Sequence, residues 1–145
     1  AGRLAKAKEL GADVLIDASA EDPVARVKEL TDGRGADHVI TAFGSGKANE
    51  QAMAMIAYRG RLMLFASAHP MTPLEIDPNL MHNRETGVIG SLSSEQVDFE
   101  VASRLIGLRG VDLRPLIQRS FPLSELCAAL DASIEPGTYR MIVNP

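Results

Sequence analysis

Tryptophan is absent from this 145-residue chain, and aromatic side chains make up only 4% of it. Any core must therefore be assembled from alanine, valine, leucine, isoleucine and methionine, which a hydrophobic content of 46% can supply. The single cysteine, Cys127, excludes an intrachain disulfide and a cysteine-cluster metal site, and it suits a cytoplasmic protein. No apolar run approaches the ~20 residues of a membrane-spanning helix, and no signal-peptide pattern opens the chain. Basic residues are not in excess, since 15 Lys and Arg stand against 19 Asp and Glu for a net charge of −4. That balance argues against nucleic acid or an anionic membrane as a partner, because either asks for a basic face.

Chemistry-bearing patterns are equally scarce. There is no Ser-His-Asp arrangement and no paired-carboxylate motif. His38, His69 and His82 lie far apart in sequence, without the short spacing of a helical ligand pair. Gly44-Ser45-Gly46 lacks the third glycine of a phosphate-binding turn and reads as a loop and helix cap. Cys127, beside Leu126, Ala128 and Ala129, reads as packing, and Met53, Met55 and Met63 as flexible core fillers. The chain alone is not expected to catalyse a reaction.

What is present is a regular alternation of helix and strand patterns. Leu4, Ala7 and Leu10 form a short amphipathic stripe, closed by Gly11 and followed by an apolar run, Val14-Leu15-Ile16, that predicts a strand. Asp22-Pro23 starts a second helix with proline at its first position, and His38 to Ala42 is the next strand. Ala48, Ala52, Met55 and Ile56 mark a third helix that Gly60 should end. Leu62 to Ala66 is a continuous apolar run, the pattern of a central parallel strand. Residues 67 to 87 predict a long connection with at most short structure, and residues 87–92 a further strand. Ser93 and Gln96 have capping-box spacing ahead of a helix with Val97, Val101, Leu105 and Leu108 on one face. Leu113 to Ile117 predicts an extended stretch, Leu126, Leu130 and Ile134 a last helix, and Tyr139 to Val143 a last strand. The alternation implies an α/β fold, a parallel sheet with helices on both faces. Such sheets bind ligands beyond the carboxyl ends of their strands. That directs attention to Asp17–Ser19, Ala42–Gly44, Ala66–Ala68 and Ser91–Ser93.

The ordered pieces "RLAKAKELGAD", "GRGADHVITAFGSG", "YRGRLMLFAS", "NRETGVIGS", "FPLSELCAAL" and "YRMIVNP" resemble the zinc-type medium-chain alcohol dehydrogenases, nearest to their polyol and threonine dehydrogenase branch. The resemblance covers essentially the whole chain. It implies a truncated Rossmann-type domain. The strand, glycine-rich turn and acidic residue that hold the pyrophosphate and adenosine ribose would precede Ala1, and so would the catalytic domain with its zinc ligands. Residues 1–110 would be the later part of the NAD(P)-binding domain, and 111–145 a C-terminal segment that packs on the missing catalytic domain. Residues of this sequence that match cofactor contacts are Arg3 beside the adenosine ribose, Phe65, Ala66 and Ser67 at the nicotinamide side, and Ser91, Leu92 and Ser93 at the carboxamide. Ala66 stands where the family usually has glycine, and Ser93 where polyol-type members often have arginine.

The cofactor implied is NAD or NADP, with zinc held in the missing domain. The partners implied are that domain and a second copy paired along the edge strand 88–92. Without the domain, Leu116, Ile117, Phe121, Leu126, Leu130 and Ile142 would form an exposed apolar patch. Three readings are open. The parent could be a zinc-dependent dehydrogenase of secondary alcohols, or a zinc-free quinone reductase of the same superfamily. The chain could also be a non-catalytic αβ binding module.

Overall fold

A computed structural model describes residues 2–145 of the chain. The helices are α1 (Gly2–Glu9), α2 (Pro23–Leu30), α3 (Gly46–Met55), α4 (Pro78–Arg84), α5 (Gln96–Gly107) and α6 (Leu126–Ser133). The strands are β1 (Ala36–Thr41), β2 (Ile56–Leu64), β3 (Gly87–Gly90), β4 (Ile117–Pro122) and β5 (Arg140–Asn144). They form a three-stranded sheet in the order β1-β2-β3 and a two-stranded sheet of β4 and β5, both parallel. The α/β reading with a central parallel strand holds. Contacts divide the chain into two compact units, Ile16–Ser93 on one hand, and residues up to Leu15 with Ser94–Pro145 on the other. No helix among the described residues is long and apolar enough to cross a membrane.

In the Ile16–Ser93 unit, β2 is the only strand with two neighbours. Leu62 of its apolar run is closed off at 0% exposure and Ile56 at the strand start at 2%, while Met63 and Leu64 are half-buried; the strand ends at Leu64 rather than Ala66, and Phe65 beyond it is exposed. Ala52 of α3 packs on these two, and Val39, Leu64, Leu74 and Val88 close around them. Regular pairing runs from His38↔Arg61 to Thr41↔Leu64 on one side and from Arg61↔Gly87 to Leu64↔Gly90 on the other. Helix α2 begins as its Asp-Pro start predicts, for the Asp22 carboxylate accepts from the amide of Val24 at 2.9 Å.

At the amino end of the sheet a polar cluster ties the α4–β3 turn to β2. The Glu85 carboxylate accepts from the Tyr58 hydroxyl at 2.7 Å and from Arg59 Nε at 2.8 Å, and Arg61 donates to the Glu85 carbonyl at 3.1 Å. Arg59 and Glu85 both hold left-handed backbone, at φ 61° and 50°. That conformation is unfavourable for residues with a Cβ and persists where surrounding bonds fix it. The Arg59 guanidinium, with the Tyr58 hydroxyl second, holds the Glu85 carboxyl below its ordinary range.

In the other unit, Phe121 of β4 packs with Ala129 and Ala132 of α6, against Met141 and Val143 of β5. No residue of α5 is buried, and its predicted stripe of Val97, Val101, Leu105 and Leu108 is exposed.

The structure corrects several expectations. Val14-Leu15-Ile16 is no strand, because among the described residues no other segment pairs with it. Helix α3 stops at Met55 rather than Gly60. Ile56 and Ala57 are both buried, and a bulge between Ala36 and His38 absorbs the residues up to Gly60. The edge strand ends at Gly90, so Ser91 and Leu92 lie beyond the paired residues. Ser93 does not cap α5. Its φ of 57° is left-handed, whereas an N-cap is extended. Glu95 takes the cap, and its amide donates to the Asp98 carboxylate at 3.0 Å. Leu113–Ile117 is not continuously extended, for Arg114–Leu116 forms a 3-10 turn with proline near its start. Phe121 is buried at 7% exposure and so leaves the expected apolar patch, of which Ile117, Leu126 and Leu130 are exposed.

Truncating Leu62 to alanine is expected to cost about 2–5 kcal/mol in urea unfolding, since it removes fully buried methyl groups and leaves a cavity in their place. Acidification gives a second check. A carboxyl whose folded pKa is depressed contributes stability above its unfolded pKa of about 4.3 and loses it as pH falls through the folded value. The melting temperature should therefore drop as pH is lowered from that range, and the drop should be smaller for Glu85→Gln than for the parent chain.

Candidate functional site

Parallel pairing brings the last residues of β2 and β3 to the same end of the sheet. Leu64 pairs with Gly90, and the chain leaves both strands there into loops. The ladder continues one step further through single bonds. The amides of Phe65 and Ala66 both donate to the Thr41 carbonyl, at 3.2 and 3.0 Å, and the Ser91 amide donates to the Leu64 carbonyl at 3.1 Å. The amides of Ser67, Leu92 and Ser93 find no acceptor in the protein among the described residues.

These loops frame a cleft of about 730 Å³. Phe65, Ala66 and Ser67 line one part of it and Ser91, Leu92 and Ser93 another. Six of the seven residues singled out from the sequence thus meet at one place. Arg3, an exposed residue of α1, is not among the residues that line it. The cleft walls are largely apolar, with Leu64, Met71 and Leu74 completing them. Its polar groups are few. The Ser67 hydroxyl and His69 Nε2 lie 3.2 Å apart, and Asn49, Thr72, Ser91 and Ser93 complete the set. An apolar cleft with a few convergent polar groups is the usual form of a small-molecule site. Ser93, in left-handed backbone, adds local strain of order 1 kcal/mol at its rim.

Two glycines set how closely the neighbouring loop approaches. A Cβ on Gly44 would lie 1.8 Å from the Ser67 carbonyl oxygen, and one on Gly46 would lie 2.4 Å from the Thr72 methyl carbon. Gly44-Ser45-Gly46 is therefore a packing loop and helix start, as its missing third glycine implies.

Asn49, His69, Met71, Thr72 and Leu74 are cleft residues that the sequence reading did not assign to a site. Asn49 carried a signal: it stands three residues before Ala52, on the helix side that the apolar stripe marks as buried, yet it is polar.

A larger cleft of about 930 Å³ lies in the other unit, lined by Ile106, Leu113, Leu116, Ile117 and Met141 among others. Of its four charged lining residues two pair, for Arg114 donates to both Asp112 carboxylate oxygens, at 2.8 and 2.7 Å, beside Arg109 and Arg140. Those bonds hold the Asp112 carboxyl down at about 2. Among the described residues no group of three or more His, Cys, Asp or Glu could hold a metal ion. The residues do not fit zinc.

Residues 1–107 match the family model described as zinc-binding dehydrogenase. The chain belongs to that family. This zinc-binding dehydrogenase family member is 32% identical over 146 residues to D-arabitol-phosphate dehydrogenase of Enterococcus avium, an alignment covering 99% of the chain and 40% of the relative. It is also similar to the alcohol dehydrogenase of Aeropyrum pernix, with a TM-score of 0.78 and 26% identity over 99% of this chain and 40% of that one. A chain from Sinorhizobium meliloti solved bound to NADP shares the fold, with a TM-score of 0.87 at 24% identity over 100% of this chain and 43% of that one. The resemblance read from the sequence is borne out. The chain spans about 40% of the length of the curated relatives it matches.

Gly44→Ala is expected to force the 43–46 and 66–68 loops apart and to destabilise the chain by about 1–3 kcal/mol, the usual cost of overpacking. An unchanged melting temperature would show that the two loops do not meet as described.

Proposed function

We propose that this chain is the later part of the coenzyme domain of a longer NAD- or NADP-dependent dehydrogenase, and that the cleft beyond β2 and β3 receives the nicotinamide end of the cofactor. One observation carries the reading: Phe65–Ser67 and Ser91–Ser93, distant in sequence, line one cleft at the carboxyl ends of two paired parallel strands. The cleft fits such a group. Its apolar walls suit a flat ring, and the unengaged amides of Ser67, Leu92 and Ser93 are donors for a carbonyl.

When bound, the cofactor supplies hydride acceptance from the alcohol carbon. The chain's own contribution is placement. The bonds from Phe65, Ala66 and Ser91 to the strand ends hold the loop backbone still. Phe65 and Leu92 keep apolar surface against the ring and exclude water from its face. Zinc, which would polarise the alcohol oxygen, belongs to residues outside this chain, because the described residues offer no ligand set for it. Residues 1–110 are the nucleotide-binding part in this reading, and 111–145 the segment that meets the catalytic domain. Arg3 is the adenosine-ribose contact, and two copies pair along the open edge of β3.

The similarity to D-arabitol-phosphate dehydrogenase favours a secondary alcohol of the polyol class over a quinone as substrate. The protein that contains this chain, in the form its gene encodes, should reduce NAD or NADP when given polyols or secondary alcohols. Activity should fall by more than tenfold on chelation of zinc and return with it, about what loss of a Lewis acid implies. Turnover of quinones with NADPH that is indifferent to chelation would replace this reading with the zinc-free one.

A further inference from the structure

Asn49 differs from every other cleft residue. It is 8% exposed, and its Oδ1 is shut off from solvent without a hydrogen-bond partner. No other buried side-chain nitrogen or oxygen among the described residues is left so. The residue sits in the first turn of α3, whose N-cap Ser45 makes no side-chain cap bond, and it lines the same cleft as Ser67 and His69. A leucine would fill similar space without stranding a polar atom, so asparagine here is a burden on the folded chain. Buried groups of this kind ask for a partner that the protein does not supply.

The chemistry of the side chain narrows that partner. A primary amide offers two N–H donors and one carbonyl acceptor. Its terminal torsion is soft, so a half-turn exchanges the positions of oxygen and nitrogen. Two primary amides can pair reciprocally, each donating one N–H to the other's oxygen. A carboxylate can accept from the asparagine N–H but offers no donor to its oxygen, so it completes only half of that reciprocal pair. The nearby Ser67 hydroxyl and His69 ring are engaged with each other.

We propose that Asn49 is a specificity-determining residue of the cleft, pairing its side-chain amide with the carboxamide of a nicotinamide-type ligand and disfavouring the carboxylate analogue. The proposal rests on the reading of the cleft as the nicotinamide site and deepens it.

Nicotinamide mononucleotide and nicotinic acid mononucleotide, at millimolar concentration, are the probes for the 145-residue chain and its Asn49→Leu variant. Binding is read from NMR shifts of the cleft resonances, and stability from thermal melting. The parent chain should favour the nicotinamide probe by roughly tenfold, the scale of one unmet buried hydrogen bond. Asn49→Leu should melt at a higher temperature without ligand and bind the two probes about equally. Asn49→Ser, which keeps a polar group and lacks the amide, should also lose the preference, and it provides that readout should the leucine variant not fold. A preference kept in the variants overturns the role of Asn49 while leaving the cleft as the nicotinamide site. If neither probe shifts the cleft resonances of the parent chain, the cofactor reading fails and this proposal falls with it.

Discussion

The three-stranded sheet depends on the burial of β2. Leu62 and Ile56 are closed off from water on this strand alone, and β1 and β3 each pair with it and with no other strand among the described residues. Because both pairings are parallel, the ends of the strands coincide. Leu64 and Gly90 finish together, and the two loops that follow have no course except across the same end of the sheet. The cleft follows from the pairing geometry, before any particular side chain is considered.

The two ends of β2 are built to opposite rules. At the amino end Tyr58, Arg59 and Arg61 all bond to Glu85, so polar groups are satisfied and strained backbone is held in place. At the carboxyl end the amides of Ser67, Leu92 and Ser93 lack protein acceptors, and Asn49 is buried with its oxygen unpaired. A chain selected for stability alone would resemble its amino end throughout. The contrast is the signature of a site, where local cost is tolerated for recognition.

Much of this was legible in the sequence. The continuous apolar run from Leu62 marked the central parallel strand, although that strand ends at Leu64 and Phe65 is exposed, and the helix starts at Asp22-Pro23 and near Gly46 lay where caps and turns placed them. Six cleft residues were reached by matching motifs to a family. What escaped depends on partners. Val14-Leu15-Ile16 has the composition of a strand, but a strand exists only in a ladder, and no described segment completes one. The end of α3 was misplaced because Ile56 suits the helical stripe and the buried strand start equally well. Ser93 has the residue type of an N-cap, while its left-handed backbone belongs to the cleft rim. His69 became a cleft residue only in the folded structure, and Asn49 carried no signal beyond being polar on the buried side of its helix. Family membership rests on residues 1–107 and agrees with the Enterococcus avium relative across nearly the whole chain.

The most direct test of the central claim is a residue-by-residue NMR map of where NADH touches the isolated chain. The account predicts shifts concentrated at 65–67 and 91–93, with Asn49 among them, even where affinity is weak. Shifts confined to the apolar cleft around Ile106, Leu113 and Met141, with the ends of β2 and β3 undisturbed, would contradict it.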